Sequence, residues 1–393
     1  LNGSGGSKVN FFGFHFTDDV NYFHVADLGW KSTGFGTNFV VVPSGSAVLI
    51  DGNFAYSNYK IDLSEEDGRV RSSEINGFNL GLSFSYFMGK DEFRYGLEVL
   101  GFKTNYEVTN IIGSPVGQAE NTTELAAYFK YKKVWDKLVI EPGLRLNYYS
   151  SLSEFSPEPR FGFKYNITDG IRLKGAAGLY SQNLLSTSSD RDVVNLFYGF
   201  LSGSDNLPEQ FKGEDVTSRL QKAKHLILGF ELDLPFHLVF NAEGYIKEFT
   251  QLENINRDKL FPDDSQHNNK PDEFKKDYVI EEGVAKGVDV TLKYEHRKLY
   301  LWMVYSLGFN KRNDGIREYE PSFDRRHNIN VVASLKFGKK DLWQANVRWN
   351  FGSPFPFTQT QGFYESAQFP DGIGTDIQNQ NGNLGIYYGE LNK

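Results

Sequence analysis

Large apolar side chains recur at every second position through most of this 393-residue chain. Phe78, Leu80, Leu82 and Phe84 alternate with small or polar residues, and the stretch from Trp343 to Phe351 has the same pattern. Successive residues of a β-strand point to opposite faces, so each run predicts a strand with one apolar face and one wet face. No segment keeps a period of 3.6, and no apolar run is long enough for a membrane helix. The chain is therefore predicted to be all-β.

The pattern predicts about 15 strands joined by two kinds of connection. Short turns, such as Ser44–Ser46 and Gly89–Asp91, alternate along the chain with longer links. The longer links are predicted at 62–72, 109–121, 151–157, 183–222, 250–283, 311–324 and from 353 onward. All the long links then emerge at one end of the sheet. This asymmetry is typical of a transmembrane antiparallel β-barrel with short periplasmic turns and long extracellular loops in the bacterial outer membrane.

The amino-acid composition and the lack of repeats argue against several other classes of protein. The 34 Phe, 22 Tyr and 39 Gly suit strands and turns, and the absence of Cys excludes disulfides and thiolate zinc sites. A net charge of −8 argues against a nucleic-acid binder. A soluble propeller should show a repeat of about 40–45 residues, which this sequence lacks. A soluble β-sandwich seldom contains so many long hairpins with one-sided loops.

The two faces of the predicted sheet should lie in different environments. The row that contains Leu80 should face lipid, because a charge there costs a few kcal/mol. The opposite row should face a hydrated lumen; it contains Arg145, Lys164, Arg172, Lys174, Glu231, Asp233, Lys293, Lys336 and Arg348. An odd number of strands does not close a bacterial barrel. We therefore expect residues 1–393 to be a partial barrel domain from which the final strands are absent.

Several motifs resemble the barrel of TonB-dependent outer-membrane receptors of the type found in Bacteroidetes. The strongest is the hairpin formed by Ser156–Asn166 and Ile171–Gly178. Ser181–Asn183, Asp190–Asn195, Asp324–Asn328 and Asn350–Thr360 are also similar to the family. The resemblance covers essentially the whole chain.

This resemblance implies a barrel of about 22 strands, filled by an N-terminal plug that we expect to be absent from residues 1–393. It also implies energising by the TonB–ExbB–ExbD complex, contact with lipid and lipopolysaccharide, and in some cases a surface lipoprotein or other outer-membrane subunits as partners. We expect active import of a scarce nutrient such as a siderophore, peptide or glycan. The alternative is a transporter-like barrel that serves as a structural subunit of an outer-membrane assembly or secretion complex. A diffusive porin is a third and weaker alternative.

The sequence contains no recognisable catalytic constellation, so we expect neither an enzyme nor a cofactor. The candidate residues lie in two of the long links. The candidates for contact with a substrate are Asp190, Arg191, Asp192, Phe197, Tyr198 and Phe200, although such groups more often form an ion-pair cluster that orders the link or the link's own small core. Asp263, Asp264 and His267 are weak candidates for a metal site, and solvated loop charge is the alternative.

Overall fold

Nearly all of the regular structure is strand, as predicted. The computed structural model describes residues 6–23, 26–65, 70–109, 115–187, 197, 199–203, 206–256, 259–356, 360–365 and 384–388. Its strands are β1 (Lys8–Tyr22), β2 (Ala26–Val41), β3 (Val48–Glu65), β4 (Val70–Met88), β5 (Asp91–Thr109), β6 (Pro115–Val134), β7 (Leu138–Tyr149), β8 (Glu154–Thr168), β9 (Ile171–Gln182), β10 (Leu184–Thr187), β11 (Gly199–Ser202), β12 (Gln210–Phe211), β13 (Glu214–Asp215), β14 (Gln221–Leu234), β15 (Leu238–Ile255), β16 (Tyr278–His296), β17 (Leu299–Asn313), β18 (Glu318–Tyr319), β19 (His327–Phe337), β20 (Trp343–Gly352), β21 (Thr360–Glu365) and β22 (Leu384–Tyr388). Single 3₁₀ turns occur at Asp272–Phe274 and Lys339–Asp341. Among the described residues, no helix is long and apolar enough to cross a membrane.

Most of the strands belong to one antiparallel sheet. Its order is β1 to β9, then β14, β15, β16, β17, β19 and β20, while the short β18 pairs with β17. Neighbours in the sheet are thus neighbours along the chain, once the short strands between β9 and β14 are set aside. Within the described residues β1 and β20 do not pair with each other, so the sheet is open along these two edges. The predicted series of consecutive long hairpins is confirmed.

The connections differ between the two ends of the sheet. At the end that we call the turn end, two residues join β4 to β5 and three join β14 to β15. At the opposite end, which we call the loop end, long links occupy 183–220, 256–277 and 314–326. These three links lie at the same end, as the alternation of short and long connections predicts.

Other links that we predicted to be long are largely strand, so those predictions were wrong. The segments 62–72 and 109–121 belong mostly to the ends of two hairpins, β3–β4 and β5–β6. The physical reason is that the apolar residues change faces near the end of β3: Asp62 continues the row of Phe54, whereas Leu63 lies in the opposite row and is buried. Asn58 Nδ2 donates to Glu74 Oε1 at 2.8 Å, and Ser72 Oγ donates to Asp62 Oδ1 at 2.7 Å. These cross-strand contacts join the polar face of the hairpin end, while Leu63 on its other face belongs to a buried apolar cluster.

The sheet has one apolar face and one charged face. Phe78, Leu80 and Leu82 lie on the apolar face and are 37–48% exposed. Ion pairs form a ladder across strands β5 to β15 on the opposite face, which we call the charged face. Its pairs are Arg145–Glu98 at 2.7 Å, Arg172–Glu231 at 2.7 Å and Lys174–Glu243 at 2.5 Å. The predicted separation of the two rows is confirmed for these residues.

Candidate functional site

The long link between β9 and β14 turns back against the sheet at the loop end. Its strands β10 and β11 pair with each other, and we call them the inner hairpin. The backbone N–H of Phe200 donates to Ser73 Oγ at 2.9 Å. Ser202 Oγ lies 3.0 Å from Thr104 Oγ1, and Thr122 Oγ1 donates to it at 3.1 Å. Ser73, Thr104 and Thr122 lie on the adjacent strands β4, β5 and β6, and we call them the hydroxyl row.

The hydroxyl row lies on the charged face of the sheet. Ser73 and Ser83 are separated by an even number of residues on β4, so their side chains point the same way. Ser83 Oγ is 2.5 Å from Tyr128 OH, and Tyr128 stands directly opposite Arg145 in the register of β6 and β7. The inner hairpin therefore occupies the side of the sheet that carries the ion-pair ladder.

Apolar contacts accompany these hydrogen bonds. The Phe197 ring lies 6.3 Å from the Tyr106 ring, and the Phe200 ring meets the Tyr59 ring edge-on at 5.8 Å. The buried cluster as a whole consists of Ala26, Leu28, Ile61, Leu63, Tyr106, Leu185, Phe197, Leu201 and Tyr278. Three of its members belong to the link, and the others belong to the strands around it. The link thus forms an apolar core with the loop end of the sheet.

A chain of hydrogen bonds joins strands that are distant in the sheet. Gln118 Nε2 donates to the Gly203 carbonyl at 3.1 Å, and Tyr278 OH donates to Gln118 Oε1 at 2.9 Å. Gly203 N donates to Asn183 Oδ1 at 3.0 Å. Gln118 is on β6 and Tyr278 is on β16, with five strands between them in the sheet. The link therefore fills the space between two hairpins that face each other.

A cavity of about 260 Å³ remains beside the inner hairpin. Its lining includes two tyrosine rings, two large aliphatic side chains and four polar side chains: Tyr106, Tyr278, Leu201, Ile255, Gln118, Glu120, Asn206 and Asp277. Asn206 Nδ2 donates to Asp277 Oδ2 at 3.1 Å, and Lys259 Nζ pairs with Oδ1 of the same carboxylate. These contacts hold the carboxylate in place. A few fixed polar groups among aromatic and aliphatic side chains are typical of a ligand site, and this volume suits a small ligand or one end of a larger one.

The candidate metal-binding residues form hydrogen bonds with neighbouring side chains. Lys276 Nζ donates to Asp263 Oδ2 at 2.9 Å, and His267 Nδ1 lies 2.7 Å from Asp264 Oδ1. The hydrogen bond from Lys276 lowers the pKa of Asp263, and that from His267 lowers the pKa of Asp264. Across the described part of the chain, no three His, Asp or Glu side chains are arranged to hold a metal ion.

We expect the loop that contains Asp263 to loosen in acid. The pKa of Asp263 is lower in the folded protein than in the unfolded chain. The pairing with Lys276 therefore stabilises the loop at pH values above the pKa of about 4 that Asp has in the unfolded chain. That stabilisation is lost as the pH falls from about 4 through the lowered pKa. A nitroxide on Ser265→Cys, which is unique because the chain has no other Cys, should become more mobile between about pH 5 and pH 3. When Asp263→Asn is added to Ser265→Cys, the nitroxide should be mobile at both pH values. Equal mobility at both pH values in the protein that carries Ser265→Cys alone would contradict the prediction.

The substrate candidates fall into two groups. Phe197 and Phe200 contact the sheet as described above. Asp190, Arg191, Asp192 and Tyr198 lie outside the described residues, so their role stays a prediction. Sequence reasoning missed the hydroxyl row, Gln118 and Tyr278, because a hydroxyl or amide in an alternating strand gives no sign that another segment will pack on it.

The fold has counterparts among solved structures. The FrpB iron transporter of Neisseria meningitidis superposes with a TM-score of 0.61 at 11% identity, over 90% of this chain and 61% of FrpB. The Serratia marcescens receptor HasR, solved with its hemophore HasA and heme, gives 0.61 at 10% identity, over 92% and 65%. The copper transporter OprC gives 0.59 at 10% identity, over 88% and 55%. The fold is that of the outer-membrane receptor barrels.

Similarity is limited to the fold. The chain spans between half and two thirds of the length of these structures. No protein-family model matches the sequence, and no curated protein sequence matches it either.

Proposed function

We propose that this chain is the barrel part of an outer-membrane transporter that binds a scarce nutrient at the loop end and imports it into the periplasm. The observation that carries the proposal is the position of the cavity. It lies on the charged face at the loop end, between facing hairpins of a sheet whose opposite face is apolar. In the proposed barrel, a ligand in this cavity lies at one mouth of a polar passage. The similar folds of FrpB, named an iron transporter, and OprC, named a copper transporter, support the proposal.

The proposal also includes the other parts and partners of such a transporter. The barrel is completed by further strands and filled by a plug, and the TonB–ExbB–ExbD complex supplies the energy for import. A surface lipoprotein or another outer-membrane subunit binds at the loop end, and lipid and lipopolysaccharide cover the apolar face. The Bacteroidetes type of the family rests on the sequence motifs alone, of which Ser156–Asn166 is one. Catalysis and a resident cofactor form no part of the proposed mechanism, which consists of binding and gated passage.

Uptake tests the proposed function directly. The full-length gene is expressed in a Gram-negative host that lacks its own iron, heme and copper receptors, and accumulation of these three cargoes is measured. We expect at least one of them to accumulate in an energy-dependent way, and a protonophore should abolish the accumulation. Normal insertion without energised uptake of any cargo would contradict import of these nutrients and favour a structural subunit.

A charge change in the cavity should weaken this uptake. We expect Asp277→Asn to raise the half-saturating cargo concentration about tenfold, because a hydrogen bond to a charged group contributes roughly 1.5–3 kcal/mol. The matched control is Asp264→Asn, which makes the same change at a 46% exposed carboxylate of the same link, away from the cavity lining. It should leave uptake within about twofold, since an exposed ion pair contributes little. Equal effects of the two substitutions would exclude a specific role for the cavity.

A further inference from the structure

A groove of about 460 Å³ lies on the apolar face across strands β14 to β17. Its floor is Gly244, where an added Cβ would lie no closer than 4.0 Å to any heavy atom beyond the adjoining residues. The apolar side chains that surround it are Leu226, Leu228, Ile246, Val288, Leu307 and Phe309. The groove therefore exists because one strand has no side chain where its two neighbours carry Leu228 and Val288. One lining residue is charged, namely Lys286.

The register of these four strands places the groove at the edge of the apolar band. We call residues that stand directly opposite one another a level. The level that contains the charged residue consists of Leu226, Ile246, Lys286 and Phe309. The next level toward the turn end has no charge and consists of Leu228, Gly244, Val288 and Leu307. The next level toward the loop end carries several charges and consists of Lys224, Glu248, Val284 and Lys311. The groove thus begins where the charged rim of this face ends.

Lys286 differs from the neighbouring lysines because it has no counter-charge. Lys224 Nζ lies 3.3 Å from Glu248 Oε2, and Lys311 pairs with Glu318. Lys286 is exposed, and no described residue forms an ion pair or a hydrogen bond with it. A cation on the lipid-facing side of a barrel is unfavourable, and the cost falls toward the interface, where its long side chain can reach polar groups. An anion at this rim would therefore complete the pairing that the other lysines find within the chain.

We propose that the groove binds one acyl chain of an anionic membrane lipid, whose head group pairs with the ammonium of Lys286. The chain lies over Gly244 and against Leu228 and Val288, on the side of the turn end. The head group lies on the side of the loop end, at the level where the charges of this face begin. A lipid fits better than a free anion, because the unpaired cation adjoins an apolar groove. The site rests on the part of the proposed function that puts the apolar face in lipid, and it does not depend on import.

Native mass spectrometry of the full-length protein in a nonionic detergent tests the site. It compares the affinity for dioleoylphosphatidylglycerol, which is anionic, with that for dioleoylphosphatidylcholine, which has the same chains and no net charge. We expect Lys286→Gln to weaken binding of the anionic lipid about fivefold, the effect of one cation at a membrane surface, and to leave the neutral lipid within about twofold. The matched control is Lys103→Gln. Lys103 is an exposed lysine of the same face that also has no counter-charge among the described residues, but it stands between Asn76 and Asn121. This control should leave both affinities within about twofold.

A second variant tests the apolar half of the site. Gly244→Leu fills the groove with a side chain that meets open space, and it should weaken binding of both lipids about fourfold or more, the effect of displacing at least one methylene group. Unchanged binding in Gly244→Leu, or equal losses in Lys286→Gln and Lys103→Gln, would overturn the site. The expected lipid pattern without energised uptake of iron, heme or copper would retain the site and count against import. Energised uptake without that pattern would do the reverse.

Discussion

Leu80→Arg is expected to weaken folding into a bilayer by about 2–4 kcal/mol, the cost of a charge near the middle of the lipid-facing band. Leu80 is 48% exposed on the apolar face, between Phe78 and Leu82. Towards the loop end the same face becomes polar at Asn58 and Glu74, so Leu80 lies within the apolar band. The measurement is the folded fraction in phosphatidylcholine liposomes across a urea series, read from the heat-modifiable mobility of the full-length protein.

The neighbouring residue provides the control. Asn79 points to the charged face, where Asn53 Nδ2 donates to its Oδ1 at 2.5 Å. Asn79→Arg introduces the same charge one residue away in a hydrated environment, and it should cost less than about 1 kcal/mol. If both variants lost the same stability, the assignment of the apolar face to lipid would be wrong.

The period of two was sufficient to predict the long strands and their faces. Alternation alone assigned Leu80 and Arg145 to opposite faces. The register of the strands confirms this assignment, because the pairing of residues across neighbouring strands fixes the face of each side chain. The ends of the hairpins were not predictable in this way. Asp62 and Ser72 looked like loop residues, since the apolar residues change faces there and only the cross-strand partner shows that the strands continue.

The site was less accessible to sequence reasoning than the fold. Phe197 and Phe200 were noticed because aromatic residues in a polar link need a place to pack. Their partners Tyr106 and Tyr59 are far away in the sequence, so no local pattern points to them. The hydroxyl row spans three strands, and Ser202 finds it only after the sheet has formed. Long-range contacts of this kind depend on the packing of a long link, which periodicity does not encode.

The buried carboxylate of Glu158 is the second place where a single change should have a large effect. Its side chain is 3% exposed on β8. Oε1 accepts hydrogen bonds from Asn147 Nδ2 at 2.7 Å and from the backbone N and Oγ of Ser181 at 2.8 and 2.7 Å, while Oε2 accepts one from Arg160 at 2.6 Å. One carboxylate therefore ties β7, β8 and β9 together on the charged face.

Removing this carboxylate leaves four donors without their acceptor. We expect Glu158→Ala to lower the free energy of unfolding by about 3–5 kcal/mol, and Glu158→Gln by about 1–3 kcal/mol, since the amide keeps one oxygen but turns a donor toward other donors. The control is Glu141→Ala, which breaks the Lys130–Glu141 pair, whose side chains are each 39% exposed; it should cost no more than about 1 kcal/mol. Guanidinium unfolding of the refolded protein, followed by the fluorescence of its 5 Trp residues, measures all three. A loss for Glu158→Ala no larger than that for Glu141→Ala would mean that water replaces the carboxylate at no cost, so that this part of the charged face would be open to solvent rather than sealed.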